Sequence, residues 1–243
     1  MRLSRVHVDS DLTTGGRVLV TGAAANHIMR VLRLRTGDAL TVFNGHGGEF
    51  GASIEEFHRD SVLVGILEAR SVDRESPLVL TLAQGVSRGE RMDWILQKST
   101  ELGASRIVPV LTERSVVRLD AKQAERKLHH WKGIAVAACE QSGRNRVPDI
   151  AAPVSIHEFL AGADGDSTRL LLSPTGELGI DALGDVGSGV TVLIGPEGGL
   201  TDIEQESALR AGFTPVRMGP RVLRTETAAI AALTIIQQKF GDL

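Results

Sequence analysis

The sequence predicts two domains, a small β-barrel followed by an α/β domain with a parallel sheet. The first 70 or so residues hold short alternating segments separated by glycine-rich or polar turns, which is typical of a small barrel. After a polar stretch at residues 70–77 the pattern changes to strands that alternate with longer helices, and this indicates a parallel sheet. Two glycine-bearing loops in the last quarter, residues 194–200 (IGPEGGL) and 218–228 (MGPRVLRTETA), each join a predicted strand to a predicted helix.

Composition limits the class of protein. The chain has 243 residues, of which 42% are hydrophobic, enough for a packed globular core. The single cysteine, Cys139, rules out a disulfide framework or a cysteine-based zinc site, and we expect it to fill space in the core. No stretch approaches membrane-spanning length and the start lacks the hydrophobic core of a signal peptide. We therefore expect a cytoplasmic protein with no membrane partner.

Charge is distributed unevenly along the chain. The formal net charge is −3, but residues 1–150 hold 21 Lys and Arg against 18 Asp and Glu, whereas residues 151–243 hold 6 against 12. A basic surface, if one exists, is expected in the first part. Only 3% of the residues are aromatic and none is tyrosine, so any contact with RNA is expected to depend on arginine and not on a platform of rings.

The first domain is predicted to be mostly β-strand. One helical patch at residues 25–33 places Ile28, Val31 and Leu32 on one face and Arg30 and Arg33 on another, so these arginines either contact RNA or form a solvated face. Residues 44–48 (NGHGG) resemble part of a dinucleotide-binding fingerprint, but the spacing favours a hairpin turn. The predicted strands lie near residues 2–8, 17–20, 39–43, 49–57 and 61–69.

The second domain is predicted from residue 73, which gives domains 1–72 and 73–243. Its strands are predicted at residues 78–83, 107–111, 170–173, 190–194 and 214–218. Its helices are predicted to begin at Ser87 with Glu90 as capping-box partner, at Asp120, at Ser155 with Glu158, at Thr201 with Glu204, and near Glu226. The last helix is apolar around much of its circumference, which indicates either a subunit interface or a fully internal helix.

The two glycine loops are the strongest candidate site. Gly195 follows a short apolar run that reads as a buried strand, and ligands bind open α/β sheets at the carboxyl ends of their strands. Glycine lets a flat polar cofactor approach the backbone closely, although each loop alone would pass for an ordinary turn. Residues 139–146 (CEQSGRNR) either line a site or simply end a helix. His129 and His130 are adjacent on a helix and cannot chelate one metal together, so we predict no metal.

Four motifs resemble a known family: residues 91–103 (RMDWILQKSTELG), 140–144 (EQSGR), 194–200 and 223–228 (LRTETA). In this order and spacing they resemble the RsmE-type 16S ribosomal RNA uridine-N3 methyltransferases of the SPOUT superfamily. Residues 27–33 (HIMRVLR) are similar to the family's N-terminal signature, so the resemblance covers nearly the whole chain. One small departure is Ala25-Asn26-His27, where many members have a His-His pair.

The resemblance implies a PUA-like N-terminal barrel that holds RNA and a C-terminal α/β domain whose chain forms a deep trefoil knot. It also implies a homodimer and S-adenosylmethionine (SAM) as cofactor, bound in a bent shape by the two glycine loops and the end of the strand at residues 170–173. The cofactor-binding residues implied are Leu172, Ser173, Ile194, Gly195, Pro196, Glu197, Gly198, Gly199, Met218, Gly219, Leu223 and Arg224.

The implied reaction is methyl transfer to N3 of a uridine in 16S rRNA of the small ribosomal subunit. Because N3 carries a proton, Arg224 is predicted to stabilise negative charge on the base, and Glu226 or Glu197 to accept the proton. The predicted RNA contacts are Arg5, Arg30, Arg33, Arg88, Gln141 and Arg144. The alternatives are a 2′-O-ribose methyltransferase of the same superfamily and a non-catalytic RNA-binding or ribosome-assembly module.

Overall fold

The computed structural model describes residues 3–162, 167–187 and 189–243, so Arg2, at the start of the first predicted strand, lies outside the described residues. The chain folds into two compact units. The first comprises the residues up to Glu75 together with Cys139–Val147, and the second comprises Ser76–Ala138 and Pro148–Leu243.

The first unit is built on a five-stranded sheet. Its strands are β1 (Arg5–His7), β2 (Arg17–Thr21), β3 (Ala39–Phe43), β4 (Glu49–Phe57) and β5 (Ser61–Arg70). They are ordered β1-β3-β4-β5-β2, and β1 runs parallel to β3 while the other pairs are antiparallel. In β2 only Val18 and Val20 are buried, which is the period-two alternation expected of a strand with one face on the core. The five predicted strands of this unit are thus confirmed, as is the hairpin turn between β3 and β4.

The predicted helical patch is also confirmed, with a difference in its geometry. Helix α1 (Gly22–Asn26) continues into a wider π-helical turn at His27–Leu32. Arg33 ends this turn with φ of +53°, in the left-handed region that non-glycine residues seldom occupy. Ile28 is fully buried in the core of the unit and Leu32 packs against it partly buried, but Val31, which was predicted on the same face, is 66% exposed. The face was predicted for an α-helix, and the wider π-turn, with its i→i+5 hydrogen bonds, places the side chains at different angles around the axis.

Cys139 behaves as the sequence suggested. It is a free thiol with no exposed surface. Burial raises its pKa to about 11, so the sulfur stays protonated and unreactive at neutral pH. Its role is packing inside the first unit.

The second unit contains an eight-stranded parallel sheet. Its strands are β6 (Val79–Gly85), β7 (Arg106–Leu111), β8 (Asp149–Ile150), β9 (Val154–Ser155), β10 (Thr168–Leu172), β11 (Leu178–Gly179), β12 (Gly189–Ile194) and β13 (Thr214–Arg217). The order is β11-β13-β10-β12-β6-β7-β8, with β9 also paired to β7. Every pairing is parallel, so the predicted parallel sheet is confirmed. The two-residue strands β8, β9 and β11 are too short to leave a sequence pattern.

Helices connect these strands. They are α2 (Glu90–Glu101), α3 (Ala121–Ser142), α4 (Ile156–Ala161), α5 (Asp202–Arg210) and α6 (Thr225–Phe240). Helices α2 and α6 pack against each other, and the fully buried Gln237 of α6 donates from Nε2 to the carbonyl of Leu102 at 2.9 Å and accepts from Ser76 Oγ at 2.8 Å. Helices α4 and α5 also pack against each other. Their residues Ile156 and Ala208 are buried beside Leu171 and Leu193 of the sheet.

The predicted helix starts are confirmed where the capping side chain bonds to a residue in the first turn of its own helix. Thr201 with Glu204, and Ser155 with Glu158, form reciprocal capping boxes as predicted. Asp120 accepts from the backbone N–H of Gln123 at 2.7 Å, so it caps α3.

The predicted cap at Ser87 is wrong. Helix α2 begins at Glu90 after Gly89, whose φ is +52°. Ser87 is buried instead and donates to the carbonyl of Gly85 at 3.3 Å, because the chain turns sharply where it leaves β6. In the part of the chain that the structure describes, we find no helix with the length and apolarity needed to cross a membrane.

Candidate functional site

The candidate site is a cavity at one edge of the parallel sheet. Strands β13, β10 and β12 are neighbours, so the loops that follow their carboxyl ends meet there, together with the beginning of α6. The cavity has a volume of about 730 Å³. This is the edge where ligands bind in open parallel sheets, and the volume lies in the usual range for small-molecule sites.

The twelve residues that the resemblance assigned to the cofactor all line this cavity. The end of β10 contributes Leu172 and Ser173, residues 194–199 follow β12, and Met218, Gly219, Leu223 and Arg224 follow β13. Segments that lie far apart in sequence therefore converge on one volume. The cavity also receives residues that the sequence did not single out: Arg91, Leu171, Pro174, Leu200, Gln205, Arg221, Val222, Thr225 and Ala228. Thr225 and Arg221 lie inside the second glycine-bearing motif, residues 218–228. The sequence therefore indicated this segment, but not these two residues within it.

Glycine is required where the end of β6 meets the loop after β12. A Cβ placed on Gly85 would lie 2.4 Å from the backbone nitrogen of Pro196, closer than atoms can approach. Gly199 adopts φ of +68°, which closes the turn of the loop that returns toward α5. The loop is therefore shaped by backbone packing on one side and left open to the cavity on the other.

The loop Gly195–Leu200, here called the cofactor loop, is anchored by side chains of two other segments. The Glu197 carboxylate accepts from the backbone N–H of Arg88 at 3.1 Å and from Nη1 of Arg91 at 2.8 Å. Arg114 donates from Nη1 to the carbonyls of Gly198 and Leu200, each at 3.3 Å. These contacts join the loop to the segments that contain Arg88, Arg91 and Arg114.

These contacts also set the charge state of Glu197. Burial alone would raise its pKa, but its own backbone N–H, the backbone N–H of Arg88 and the Arg91 guanidinium together hold the pKa below its ordinary value of 4.5. A carboxylate with a lowered pKa is a weaker base. Glu197 is therefore better suited to hold the loop than to accept a proton.

The beginning of α6 is bonded much less completely. Arg224 occupies the N-cap position, is exposed, and makes no side-chain hydrogen bond to the first turn. Glu226 is partly buried, and its Oε2 atom has no solvent-accessible surface and no hydrogen-bond partner among the described residues. Both side chains belong to residues that line the cavity. A buried carboxylate oxygen without a partner is costly, and such groups are commonly satisfied by a ligand.

Two predicted RNA contacts in the first unit are corrected by the structure. Arg5 is 8% exposed and Arg144 is 4% exposed. Arg5 forms an ion pair with Glu49 and donates to the carbonyl of Arg144, while Arg144 forms an ion pair with Glu75. Guanidinium groups that are buried against carboxylate partners are not available to phosphates.

The same buried network explains residues 139–146, whose polar groups are more numerous than a helix end requires. Asn145 donates from Nδ2 to the carbonyl of Val72 at 2.9 Å, and Arg74 donates to the carbonyl of Gly143 at 3.0 Å. Burial would raise the pKa of Glu49, but its bonds to Arg5 and Arg74 lower it. The polar cluster thus joins chain segments within the first unit.

The remaining predicted RNA contacts are exposed. Arg30 and Arg33 lie on the π-turn of the first unit, and Gln141 lies in its Cys139–Val147 segment. Arg88 belongs to the second unit, where its backbone N–H is bonded to Glu197 while the residue stays exposed. These four side chains meet the first requirement for contact with RNA, namely access from solvent.

Comparison with known proteins identifies the family. A model of the RNA methyltransferase domain matches residues 74–237, and a model of the RNA methyltransferase PUA domain matches residues 20–67. The chain is 34% identical over 242 residues to ribosomal RNA small subunit methyltransferase E of Buchnera aphidicola subsp. Schizaphis graminum, covering 100% of this chain and 98% of that protein. With the Bacillus subtilis protein of the same name it shares 35% identity over 89% of this chain and 88% of that protein.

Two solved structures extend the comparison to the fold. A protein from Legionella pneumophila in complex with SAM is 41% identical and superposes with a TM-score of 0.95, covering 100% of both chains. A ribosomal RNA small subunit methyltransferase E from Neisseria gonorrhoeae bound to SAM is 36% identical with a TM-score of 0.92, again covering 100% of both chains. The chain therefore belongs to the RNA methyltransferase family of the ribosomal RNA small subunit methyltransferases E.

Proposed function

We propose that this protein transfers a methyl group from SAM to N3 of a uridine in the 16S rRNA of the small ribosomal subunit. One observation carries the proposal: three loops from adjacent parallel strands and the beginning of α6 line one cavity, and the lining includes Glu226, whose Oε2 atom has no partner among the described residues. The relatives named above support the same activity, because they carry the name of a small-subunit rRNA methyltransferase and two structures of this fold were solved with SAM.

The cavity fits SAM in size and in chemistry. Its volume of about 730 Å³ leaves room beside a cofactor for part of a second reactant. The residues proposed to hold SAM are Leu172 and Ser173, residues 194–199, and Met218, Gly219, Leu223 and Arg224, all of which line the cavity. SAM, when bound there, supplies an electrophilic methyl group on a sulfonium centre. The protein must supply the rest of the chemistry by positioning the nucleophile and by handling its proton.

Glu226 is the proposed proton acceptor. The N3 atom of uridine carries a hydrogen and becomes a good nucleophile only as that hydrogen leaves. Glu226 lines the cavity, and its buried Oε2 atom has no hydrogen-bond donor among the described residues. An N3–H group that reached the Glu226 carboxylate would transfer its proton to it. Of the two carboxylates predicted from the sequence, we therefore propose Glu226 as the base and Glu197 as an anchor of the cofactor loop.

Arg224 is proposed to stabilise the charge that develops on the uridine. As the proton leaves N3, negative charge spreads onto O2 and O4 of the base. Arg224 precedes the first turn of α6, whose backbone N–H groups receive no side-chain cap from it. A guanidinium and the N-terminus of a helix both favour an anion, and neither has to reorganise when the charge appears.

The first unit is proposed to bind the RNA as a PUA-like barrel, with domain limits near residues 1–72 and 73–243. Arg30, Arg33, Arg88 and Gln141 are the proposed contacts, because they are exposed and suited to phosphates. We further propose the deep trefoil knot of the SPOUT superfamily for the second unit, and a homodimer as the working form. Half-buried apolar residues along α6, such as Ile230 and Ile235, support an interface there. Because the proposed substrate is ribosomal RNA, we propose that the protein acts in the cytoplasm.

The decisive experiment maps the methylated atom. Free 16S rRNA and assembled small subunits from cells that lack this modification are incubated with the protein and labelled SAM. The RNA is then digested to nucleosides and analysed by mass spectrometry. We expect 3-methyluridine in a stoichiometric amount at one site. A 2′-O-methylated nucleoside would identify a ribose methyltransferase instead. SAM binding without methyl transfer to either substrate would leave a binding module and contradict the proposal.

A further inference from the structure

A buried hydrogen-bond relay connects β6, the cofactor loop and α6. Gln84, which has no exposed surface, donates from Nε2 to Oγ1 of Thr225 at 2.9 Å and to the carbonyl of Gly85 at 3.0 Å. The Thr225 hydroxyl in turn donates to the carbonyl of Gly195 at 2.7 Å. Gln84 also lies 3.4 Å from that same carbonyl. The Gly195 carbonyl is thereby held from the protein side by two buried groups.

The position of Thr225 gives this relay its significance. Thr225 lies between Arg224 and Glu226 in sequence and is the first residue of α6. Among the described residues of that first turn, it is the side chain with hydrogen bonds to the cofactor loop, since Arg224 provides no cap and the Glu226 Oε2 atom has no partner. Because the backbone on either side of Thr225 carries both proposed catalytic residues, a shift of Thr225 would move both.

The cofactor loop does not depend on the relay in the same way. Its other end is held by Arg114 through the carbonyls of Gly198 and Leu200, and its middle is held by Glu197. Loss of the Thr225 hydroxyl would therefore leave most of the loop in place. The first turn of α6 would lose its tether.

We propose that Gln84 and Thr225 form a positioning pair that fixes the distance between the cofactor loop and the Arg224 and Glu226 side chains. The inference rests on the proposed function, because its consequence for catalysis requires those two residues to act on the nucleophile. We assign the pair a positioning role because its hydrogen bonds join β6, the cofactor loop and α6 to one another. Its effect is to hold the catalytic groups in register with the bound methyl donor, and misplacement on the scale of an ångström is costly for a transfer reaction.

The test compares Thr225→Val, which keeps the shape and removes the hydroxyl, with Thr225→Ser, which keeps the hydroxyl. We expect kcat for methyl transfer to fall by about tenfold to a hundredfold in Thr225→Val. The dissociation constant for SAM, measured by calorimetry, is expected to stay close to that of the wild type. Thr225→Ser should recover most of kcat.

Three matched variants make the result specific. Thr234→Val removes a threonine hydroxyl from the same helix, where it donates to the carbonyl of Ile230 within the helix, and should leave both constants unchanged. Arg114→Ala should show the opposite pattern, with weaker SAM binding and a smaller change in kcat. Gln84→Met should lower kcat less than Thr225→Val does, and the double variant should be no worse than Thr225→Val alone, because both residues act through one relay.

Hydrogen exchange separates this inference from the proposed function. In Thr225→Val the amides of Ala228 and Ala229 are expected to exchange faster than in the wild type, whether or not the protein methylates RNA, and Thr225→Ser should restore slow exchange. If the wild type is inactive, the proposed function is contradicted. The hydrogen-exchange comparison would still test whether the Thr225 hydroxyl holds the first turn of α6. Unchanged exchange in Thr225→Val would overturn the positioning pair, and so would an unchanged kcat or equal losses in kcat and SAM affinity.

Discussion

The cofactor loop and the first turn of α6 face the same cavity but are bonded very differently. In the loop, Glu197 accepts from two N–H groups of other residues and Arg114 binds two carbonyls. At the beginning of α6, Arg224 is exposed and the Glu226 Oε2 atom is buried with no partner in the described part of the chain.

This difference separates structural polar groups from groups available for chemistry. A carboxylate whose acceptor sites are filled by N–H donors is stabilised as an anion, and its pKa falls, as that of Glu197 does. A carboxylate oxygen that lacks a partner inside the protein gains more from a substrate N–H. We therefore propose different roles for two glutamates that look equivalent in sequence.

The strongest test of this distinction is Glu226→Gln, which removes the proposed base but keeps the size of the side chain. We expect methyl transfer to uridine N3 to fall by about a hundredfold to ten-thousandfold, the usual contribution of a general base. The affinity for SAM should change little. Single-turnover rates measured over a range of pH check the mechanism, because the variant should regain part of its rate as the solution becomes more alkaline and uridine deprotonates by itself. Equal rates in wild type and variant would exclude Glu226 as the base.

Arg224→Gln is expected to have the next largest effect. Removing one preorganised donor from a site where negative charge develops costs about a hundredfold to a thousandfold in kcat. Arg224→Lys should recover only part of the rate, because an ammonium group cannot reproduce the planar guanidinium. Arg210→Gln provides a control on the adjacent helix, since Arg210 is exposed and is paired with Glu206 outside the cavity lining. Kinetics at saturating SAM would distinguish a loss of kcat from a loss of cofactor binding, and an effect confined to cofactor binding would remove Arg224 from the chemistry.

Glu197→Gln tests the other side of the comparison and should act mainly on the cofactor. We expect SAM affinity to fall by about tenfold, or ~1.4 kcal/mol, with a smaller change in kcat. Its effect on stability should depend on pH. Because the folded protein lowers the pKa of Glu197 below 4.5, the ionised carboxylate stabilises the fold above that pH, and this stabilisation is lost as the pH falls through the lowered value.

Unfolding experiments check the sign of that dependence. The stability difference between wild type and Glu197→Gln should be largest at neutral pH and should shrink as the solution is acidified below pH 4.5. A difference that grows on acidification would contradict the assignment of Glu197 as an ionised anchor. A large loss of kcat with unchanged SAM affinity would move Glu197 back among the candidate bases.

The sequence predicted the features that depend on nearby residues. The capping boxes at Thr201 and Ser155 form within one helical turn, so their spacing was sufficient to place two helix starts. The glycine loops were likewise recognisable as strand-to-helix turns. Ser87 failed as a cap because α2 begins only at Glu90, after Gly89, and the Ser87 hydroxyl donates to the Gly85 carbonyl instead. The close contact of Gly85 with Pro196, more than a hundred residues away, is a feature of this region that no local pattern shows.

The arginines show the same limit at the level of the site. Arg5 and Arg144 read as free cations, but their partners Glu49 and Glu75 come from other segments of the chain. Sequence also left the choice between Glu197 and Glu226 open, because the donors to Glu197 come from residues 88 and 91. Motifs thus located the cavity, whereas the charge state and availability of each group required the three-dimensional structure.

The smallest expected effect concerns the exposed arginines of the first unit. The double variant Arg30→Gln and Arg33→Gln should weaken binding of small-subunit rRNA severalfold and leave SAM binding unchanged. Each lost phosphate contact should reduce the salt dependence of RNA affinity by about one in the slope of log K against log salt. Arg59→Gln is the matched control, because its side chain is 96% exposed in the same unit but was not predicted to contact RNA.

The buried arginines should respond differently in the same assay, and this makes the prediction sharp. Arg144→Gln leaves Glu75 without its ion-pair partner inside the first unit, so we expect a loss of stability of about 3 kcal/mol or more. Any loss of RNA affinity should then follow the unfolded fraction and disappear when the assay is cooled. For Arg30 and Arg33 the loss should persist in fully folded protein and depend on salt. If Arg144→Gln and the double variant of Arg30 and Arg33 lose RNA affinity with the same dependence on salt and temperature, burial does not distinguish structural arginines from RNA-binding arginines in this protein.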